Sequence, residues 1–216
     1  MSETEAADTE SRNEPEPSPV GTGGRVAIVE RRTAETSIRV VLDLDGTGRA
    51  QVDTGLGFLD HMLTALAKHG RLDLELTCEG DLEIDDHHTA EDCALALGQA
   101  LAEALGERRG VRRFGAALAP LDEALARVVV DLSGRPWHEV HLGFRREMIG
   151  EIATENLTHF FRSLAVAARI ALHVDLLRGE NDHHRAEAAF KALALALREA
   201  VARDGSGEVP STKGVL

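Results

Sequence analysis

The sequence predicts an α+β fold made of internally duplicated half-domains, each a mostly antiparallel sheet with two helices on one face, packed together. Three observations lead there. Residues 85–94, DDHHTAEDCA, return as residues 181–190, NDHHRAEAAF, with His-His-x-x-Glu kept in both. A lone histidine precedes each copy at a similar distance, His61 lying 26 residues before His87 and His159 lying 24 residues before His183. The same order of alternating and helix-spaced apolar stretches leads up to both.

Taken in order, RVAIVERRT and SIRVVLDLD from Arg25 alternate and are rich in β-branched residues, the signature of strands. Asp45-Gly46 reads as a turn, with RAQVDT as a third strand returning in a hairpin. FLDHMLTALAKHG spaces its apolar residues as a helix does and ends on Gly70, a suitable C-cap. LDLELTC then reads as a strand, and an Ala/Leu-rich helix runs from about His88 to Leu105. The second half repeats the order: strands in RRFGAALAPL, LARVVVDLS and WHEVHLG, a helix from about Ile152 to Arg169, a strand ALHVDLL, and a helix from about His183 to Ala202. The halves are expected at about 25–109 and 110–204, within one domain of residues 25–216 that closes with the segment 205–216. Residues 1–24 hold three of the six prolines and almost no large apolar side chain, and are expected to form a disordered acidic tail.

Composition narrows the function. The hydrophobic share of 43% supports a buried core, and no stretch approaches the roughly 20 apolar residues of a membrane span. The N-terminus lacks the basic start and apolar run of a signal peptide, so a cytoplasmic location is expected. Cys78 and Cys93 are too few for a disulfide framework and read as small buried residues. The formal charge of −13, of which about −8 remains after the tail's six acids and one arginine are set aside, argues against nucleic-acid binding. Any anionic ligand must be held by a local cluster of Arg and Lys.

The histidines carry the chemistry. His87 and Glu91 are i and i+4 on one helix face, as are His183 and Glu187, so each pair can converge on one metal ion. His88 and His184 point about 100° away and suit a second ion. By exchange between halves, one site takes His87, Glu91, His159 and His184, and another takes His61, His88, His183 and Glu187. Three nitrogens and one carboxylate oxygen suit divalent Mn, Fe, Co or Zn, and an octahedral ion keeps two open positions for substrate and water. Spacing alone leaves open whether the exchange runs within one subunit or between subunits. Asp60, Asp86 and Asp182 either orient imidazoles or cap helices.

Together GLGFLDHMLTALAKHG, DDHHTAED, RRFG, GRP, NLTHFF, NDHHRAEAAFKA and PSTKGVL resemble the imidazoleglycerol-phosphate dehydratases of histidine biosynthesis, over about Arg25 to Leu216. The resemblance implies a lyase that removes water from imidazole glycerol phosphate to give imidazole acetol phosphate, with two Mn²⁺ per active site binding the substrate imidazolate. It implies a homo-oligomer of twenty-four chains with active sites at subunit interfaces. The eight ligands above match the family's metal-binding positions, and several of them (His61, His87, His88, Glu91 and His183) also meet substrate. Glu35 matches the family's acid/base glutamate. His69, Arg113, Arg135, Lys191, Ser211, Thr212 and Lys213 match positions that contact substrate or its phosphate, whose chemistry suits Arg and Lys.

Two other readings compete. VLDLDGTG at 41–48 resembles the nucleophile motif of haloacid-dehalogenase-type phosphatases, with Asp43 as nucleophile and Asp45 as proton donor, but that motif needs a parallel α/β core behind it. A metal-storing assembly would use the histidines and leave the Arg, Lys, Ser and Thr set without a purpose.

Overall fold

The computed structural model describes residues 24–216; the expected disordered tail, Gly24 apart, lies outside them. The first half comprises β1 (Val26–Arg32), β2 (Thr36–Asp43), β3 (Ala50–Asp53), α1 (Gly57–Gly70), β4 (Asp73–Gly80) and α2 (His87–Leu105). The second comprises β5 (Phe114–Leu121), β6 (Ala124–Asp131), β7 (Trp137–His141), a small hairpin of β8 (Met148–Ile149) and β9 (Ile152–Ala153), α3 (Thr154–Ala168), β10 (Ala171–Arg178) and α4 (Asp182–Ala200). The two sheets run β1-β2-β4-β3 and β5-β6-β10-β7, the same order in both halves. Each has two antiparallel pairings and one parallel pairing at the edge, as the duplication predicts.

Alternation aims one face of each sheet inward. In β2, Ile38, Val40 and Leu42 are buried while Arg39 faces out, and in β6 Ala126, Val128 and Val130 are buried while Arg127 faces out. The helices fill the space between the sheets, and they do so across the halves: α1 packs on α4, and α2 packs on α3. Small residues allow that approach. A Cβ on Gly98 of α2 would stand 2.8 Å from the Leu164 carbonyl and 2.9 Å from the Ala168 amide, both backbone atoms of α3. Gly98→Val is therefore expected to destabilise the fold by about 3 kcal/mol, the upper range for overpacking. Chemical denaturation measures this, and an unchanged midpoint would mean that α2 and α3 part without cost.

Three sequence expectations need correction. RAQVDT is not a hairpin partner of β2: β3 pairs parallel with β4, with Ala50 opposite Leu74, because β4 already occupies the second edge of β2. The helix expected from Ile152 starts at Thr154, since Ile152 and Ala153 pair in the hairpin β8–β9, which the sequence reading lacked. RRFG enters its strand only at Phe114, because Arg113 takes a left-handed turn at φ 71°.

The Asp45–Arg49 connection is organised by a side chain from elsewhere. Asp73 Oδ1 accepts the backbone amides of Thr47, Gly48 and Arg49 at 2.7, 3.0 and 3.0 Å, and Oδ2 accepts Arg49 Nε at 2.8 Å. Burial alone would raise this carboxyl, but Arg49 and the turn amides hold it at about 2, below the ordinary 3.8. A depressed folded-state value means that Asp73 stabilises the fold fully above about pH 4 and ceases to do so as pH falls toward about 2. Asp73→Asn is expected to lower the thermal midpoint at neutral pH and to flatten its decline between those limits. The same decline in variant and wild type would remove Asp73 from the acid response.

Candidate active site

The His-His-x-x-Glu segments open α2 and α4, and the lone histidines sit in the second turns of α1 and α3. Because α2 packs on α3 and α4 on α1, each segment meets the lone histidine of the other half. His87, Glu91 and His159 gather in one cluster and His61, His183 and Glu187 in another, the donor atoms of each within 4.8 Å of one another. In the first, Glu91 Oε1 stands 3.0 Å from His159 Nε2 and Oε2 3.7 Å from His87 Nε2, with the two rings stacked at 5.1 Å. In the second, Glu187 Oε2 stands 3.2 Å from His61 Nε2 and 3.3 Å from His183 Nε2. Lys191 Nζ lies 2.6 Å from the other oxygen, Oε1. Burial alone would raise the Glu187 carboxyl, but Lys191 and His61 outweigh it and hold it at about 2.

His88 and His184 join neither cluster within the chain. The helix period turns them aside, as expected. His88 Nδ1 faces Asp81 at 3.1 Å, and its Nε2 lies 3.6 Å from Glu35 Oε1. His184 Nδ1 faces Glu123 Oε2 at 2.8 Å. Both imidazoles are raised above the ordinary histidine value, His88 chiefly by its hydrogen bond to Asp81 and His184 by that to Glu123. Glu123 also accepts the backbone amides of Asn181 and Glu180, and those bonds with His184 hold it at about 2.

Glu35 immediately precedes β2, half exposed beside His88. His69, in the last turn of α1, is lowered by burial and by the charge of Lys191. Arg113 donates to Asp131 at 2.7 Å and to the Pro210 carbonyl at 2.8 Å. Ser211, Thr212 and Lys213 follow in a turn closed by the Gly214 amide on the Ser211 carbonyl, and Leu216 lies against Gly134, next to Arg135. Arg113 and the C-terminal segment thus form one group, and the end of that segment lies against the residue before Arg135. Among the described residues, no hydrogen bond or ion pair joins it to Lys191 or the clusters.

None of the three aspartates bonds an imidazole or caps a helix with its side chain, and Asp86 reaches His87 only through Asn156. Asp60 accepts the Thr54 amide and hydroxyl, Asp86 accepts the Ala153 amide and Asn156 Nδ2, and Asp182 accepts the amides of Arg145 and Arg146. They fasten neighbouring segments to the helix starts instead of touching imidazoles or capping. The imidazoles are met by Asp81, Glu123 and Asn156, which sequence spacing did not single out, because only the tertiary fold brings them near.

The phosphatase reading fails on this geometry. Asp45 is bonded by Arg25 at 2.6 Å and by Arg203 at 3.1 Å, which holds it ionised far below the ordinary carboxylate range, and the sheet behind it is largely antiparallel. Cys78 and Cys93 are free and buried. No described helix is long and apolar enough to cross a membrane.

Fold and site together define a duplicated α+β protein with paired His/Glu clusters of metal-ligand type. A sequence profile of imidazoleglycerol-phosphate dehydratase matches residues 54–197. The chain is 62% identical over 194 residues to the imidazoleglycerol-phosphate dehydratase of Phytophthora nicotianae, covering 90% of this chain but 43% of that protein. It is 58% identical over 209 residues to that of Candida glabrata, covering 88% of this chain and 100% of the relative. Among solved structures, the Pyrococcus furiosus enzyme in complex with (S)-C348 superposes with a TM-score of 0.76 at 40% identity, covering 87% of this chain and 100% of that one. The Staphylococcus aureus enzyme superposes at 0.75 and 37% identity, covering 82% and 99%. The chain belongs to the imidazoleglycerol-phosphate dehydratase family, enzymes of histidine biosynthesis.

Proposed function

We propose that this chain converts imidazole glycerol phosphate to imidazole acetol phosphate and water in the cytoplasm, as a 24-chain assembly holding two Mn²⁺ ions per active site. The observation that carries the reading is the pair of clusters, each with two imidazole nitrogens and one carboxylate oxygen within 4.8 Å. That donor set fits a borderline divalent ion and is incomplete as a closed coordination sphere. His184 of a neighbouring chain completes the first site and His88 of a neighbour completes the second, because neither reaches a cluster in its own chain.

When bound, the ions supply Lewis acidity toward the two nitrogens of the substrate's imidazole ring. Hydroxide leaves the carbon attached to the ring, and a proton leaves the next carbon, so that one water is lost and the resulting enol becomes the ketone. Glu35, whose Oε1 lies 3.6 Å from His88 Nε2, moves that proton. Lys191 pairs with Glu187 of the second cluster, while Arg113 is bonded to the C-terminal segment that carries Ser211, Thr212 and Lys213; with His69 and Arg135 these are the substrate-contacting residues. The phosphate is held by both groups where neighbouring chains bring them together. Incubating the manganese-loaded protein with imidazole glycerol phosphate should yield imidazole acetol phosphate, followed by its ultraviolet absorbance. No product from loaded, assembled protein would overturn the assignment.

A further inference from the structure

The duplication supplies an internal reference, since each ligand in one cluster has a counterpart of the same type in the other. The surroundings do not match. Three residues before His159 stands Asn156, and three before His61 stands Phe58; four residues after Glu91 stands Leu95, and four after Glu187 stands Lys191. We infer that the clusters are unequal divalent-cation sites: His87, Glu91 and His159 form the tight one, with Asn156 as its positioning residue, and His61, His183 and Glu187 form a weaker one. This rests on the reading that both clusters hold ions.

Asn156 is 6% exposed, and its Oδ1 lies 2.9 Å from His87 Nδ1. Its Nδ2 donates to Asp86 Oδ2 at 3.0 Å, an oxygen that also accepts the Ala153 amide at 2.7 Å. A carboxylate cannot donate, so the amide is fixed with its NH₂ toward Asp86 and its carbonyl oxygen toward His87. His87 must then carry its proton on Nδ1 and present the lone pair of Nε2 to the cluster, the tautomer a metal ligand needs. The counterpart His183 has no such acceptor. Its ring meets Phe58 edge-on at 5.0 Å, a contact that packs the ring without selecting a tautomer, and among the described residues the ring's only hydrogen-bond partner is Glu187.

The carboxylates differ in the same direction. Glu91 has only His87 and His159 as charged or polar partners among the described residues, whereas Glu187 Oε1 is already paired with Lys191. An ion entering the second cluster must share Glu187 with a cation or displace it. His88 and His184, which complete the sites, each have an acidic partner on Nδ1 and so do not offset the difference. Loss of a partner that orients a ligating histidine weakens metal binding about 10- to 100-fold, which sets the expected separation at about tenfold or more.

The metal-stripped full-length chain is titrated with Mn²⁺, free ion being followed by its aqueous electron paramagnetic resonance signal. Two classes of one ion per chain are expected, about tenfold or more apart; His159→Ala abolishes the tighter and His61→Ala the weaker. Asn156→Leu should weaken the tighter class about tenfold and leave the other in place, while Lys191→Met should tighten the weaker class alone. Circular dichroism checks that Asn156→Leu folds; if it does not, Lys191→Met decides. Two equal classes, or variants that move both classes alike or neither, would overturn the asymmetry and leave the metal reading standing. Manganese binding that is absent, or indifferent to both histidine substitutions, would remove the metal reading and the inference with it.

Discussion

Glu35→Gln is expected to reduce turnover by about 10²- to 10⁴-fold, the range for loss of a positioned acid/base group, while bound manganese and assembly stay as in the wild type. The substitution keeps size and hydrogen-bonding reach and removes only the ability to accept and return a proton. Glu35 sits in the connection between β1 and β2, half exposed and 3.6 Å from His88 Nε2, so no buried charge is left unpaired by the change. Single-turnover measurements on metal-replete protein separate chemistry from binding. Wild-type turnover would remove Glu35 from the mechanism, and loss of metal would make it a structural element of the site instead.

His184→Ala is expected to have an equally large effect by a different route. Among the described residues this side chain's only ion-pair partners are Glu123 and, at 3.9 Å, Asp122, and it is part-exposed, so its loss should leave the protomer's fold intact. If it ligates an ion in a neighbouring chain, the variant loses one ion per active site, activity falls to background, and the assembly breaks into smaller species. Sedimentation velocity with metal analysis measures both. A variant that retains full metal and a full-sized particle would place the fourth ligand elsewhere.

What the sequence made legible was whatever depends on a local period. The pairing of His87 with Glu91 and of His183 with Glu187 follows from the helical repeat, and so does the turning aside of His88 and His184. The meeting of each pair with the lone histidine of the other half was suggested by the duplication, which offered an exchange between halves but not whether it ran within one chain. Local signals misled where the answer was tertiary. Asp45-Gly46 looks like a hairpin turn, yet β4 takes the edge that β3 would have needed, and Asp73, distant in sequence, shapes the connection. Asn156, Asp81 and Glu123 were invisible for the same reason, because nothing in their own stretches marks them as neighbours of an imidazole. The site contacts of Arg113, Arg135 and the C-terminal segment rested on family likeness, and among the described residues Arg113 bonds to that segment but not to the clusters.

The crossing of helices between halves has a bearing on how the protein comes apart. Each cluster draws two side chains from one half and one from the other, so Glu91 meets His159 and Glu187 meets His61 only when α2 lies on α3 and α4 lies on α1. An ion that binds only where the halves meet favours the joined chain over every opened one, by an amount that grows with the logarithm of free ion concentration. If the clusters hold ions as proposed, resistance to heat and to proteases should rise and fall with the supply of the metal. The durability of the enzyme in the cell would be a measure of its nutrition as much as of its packing.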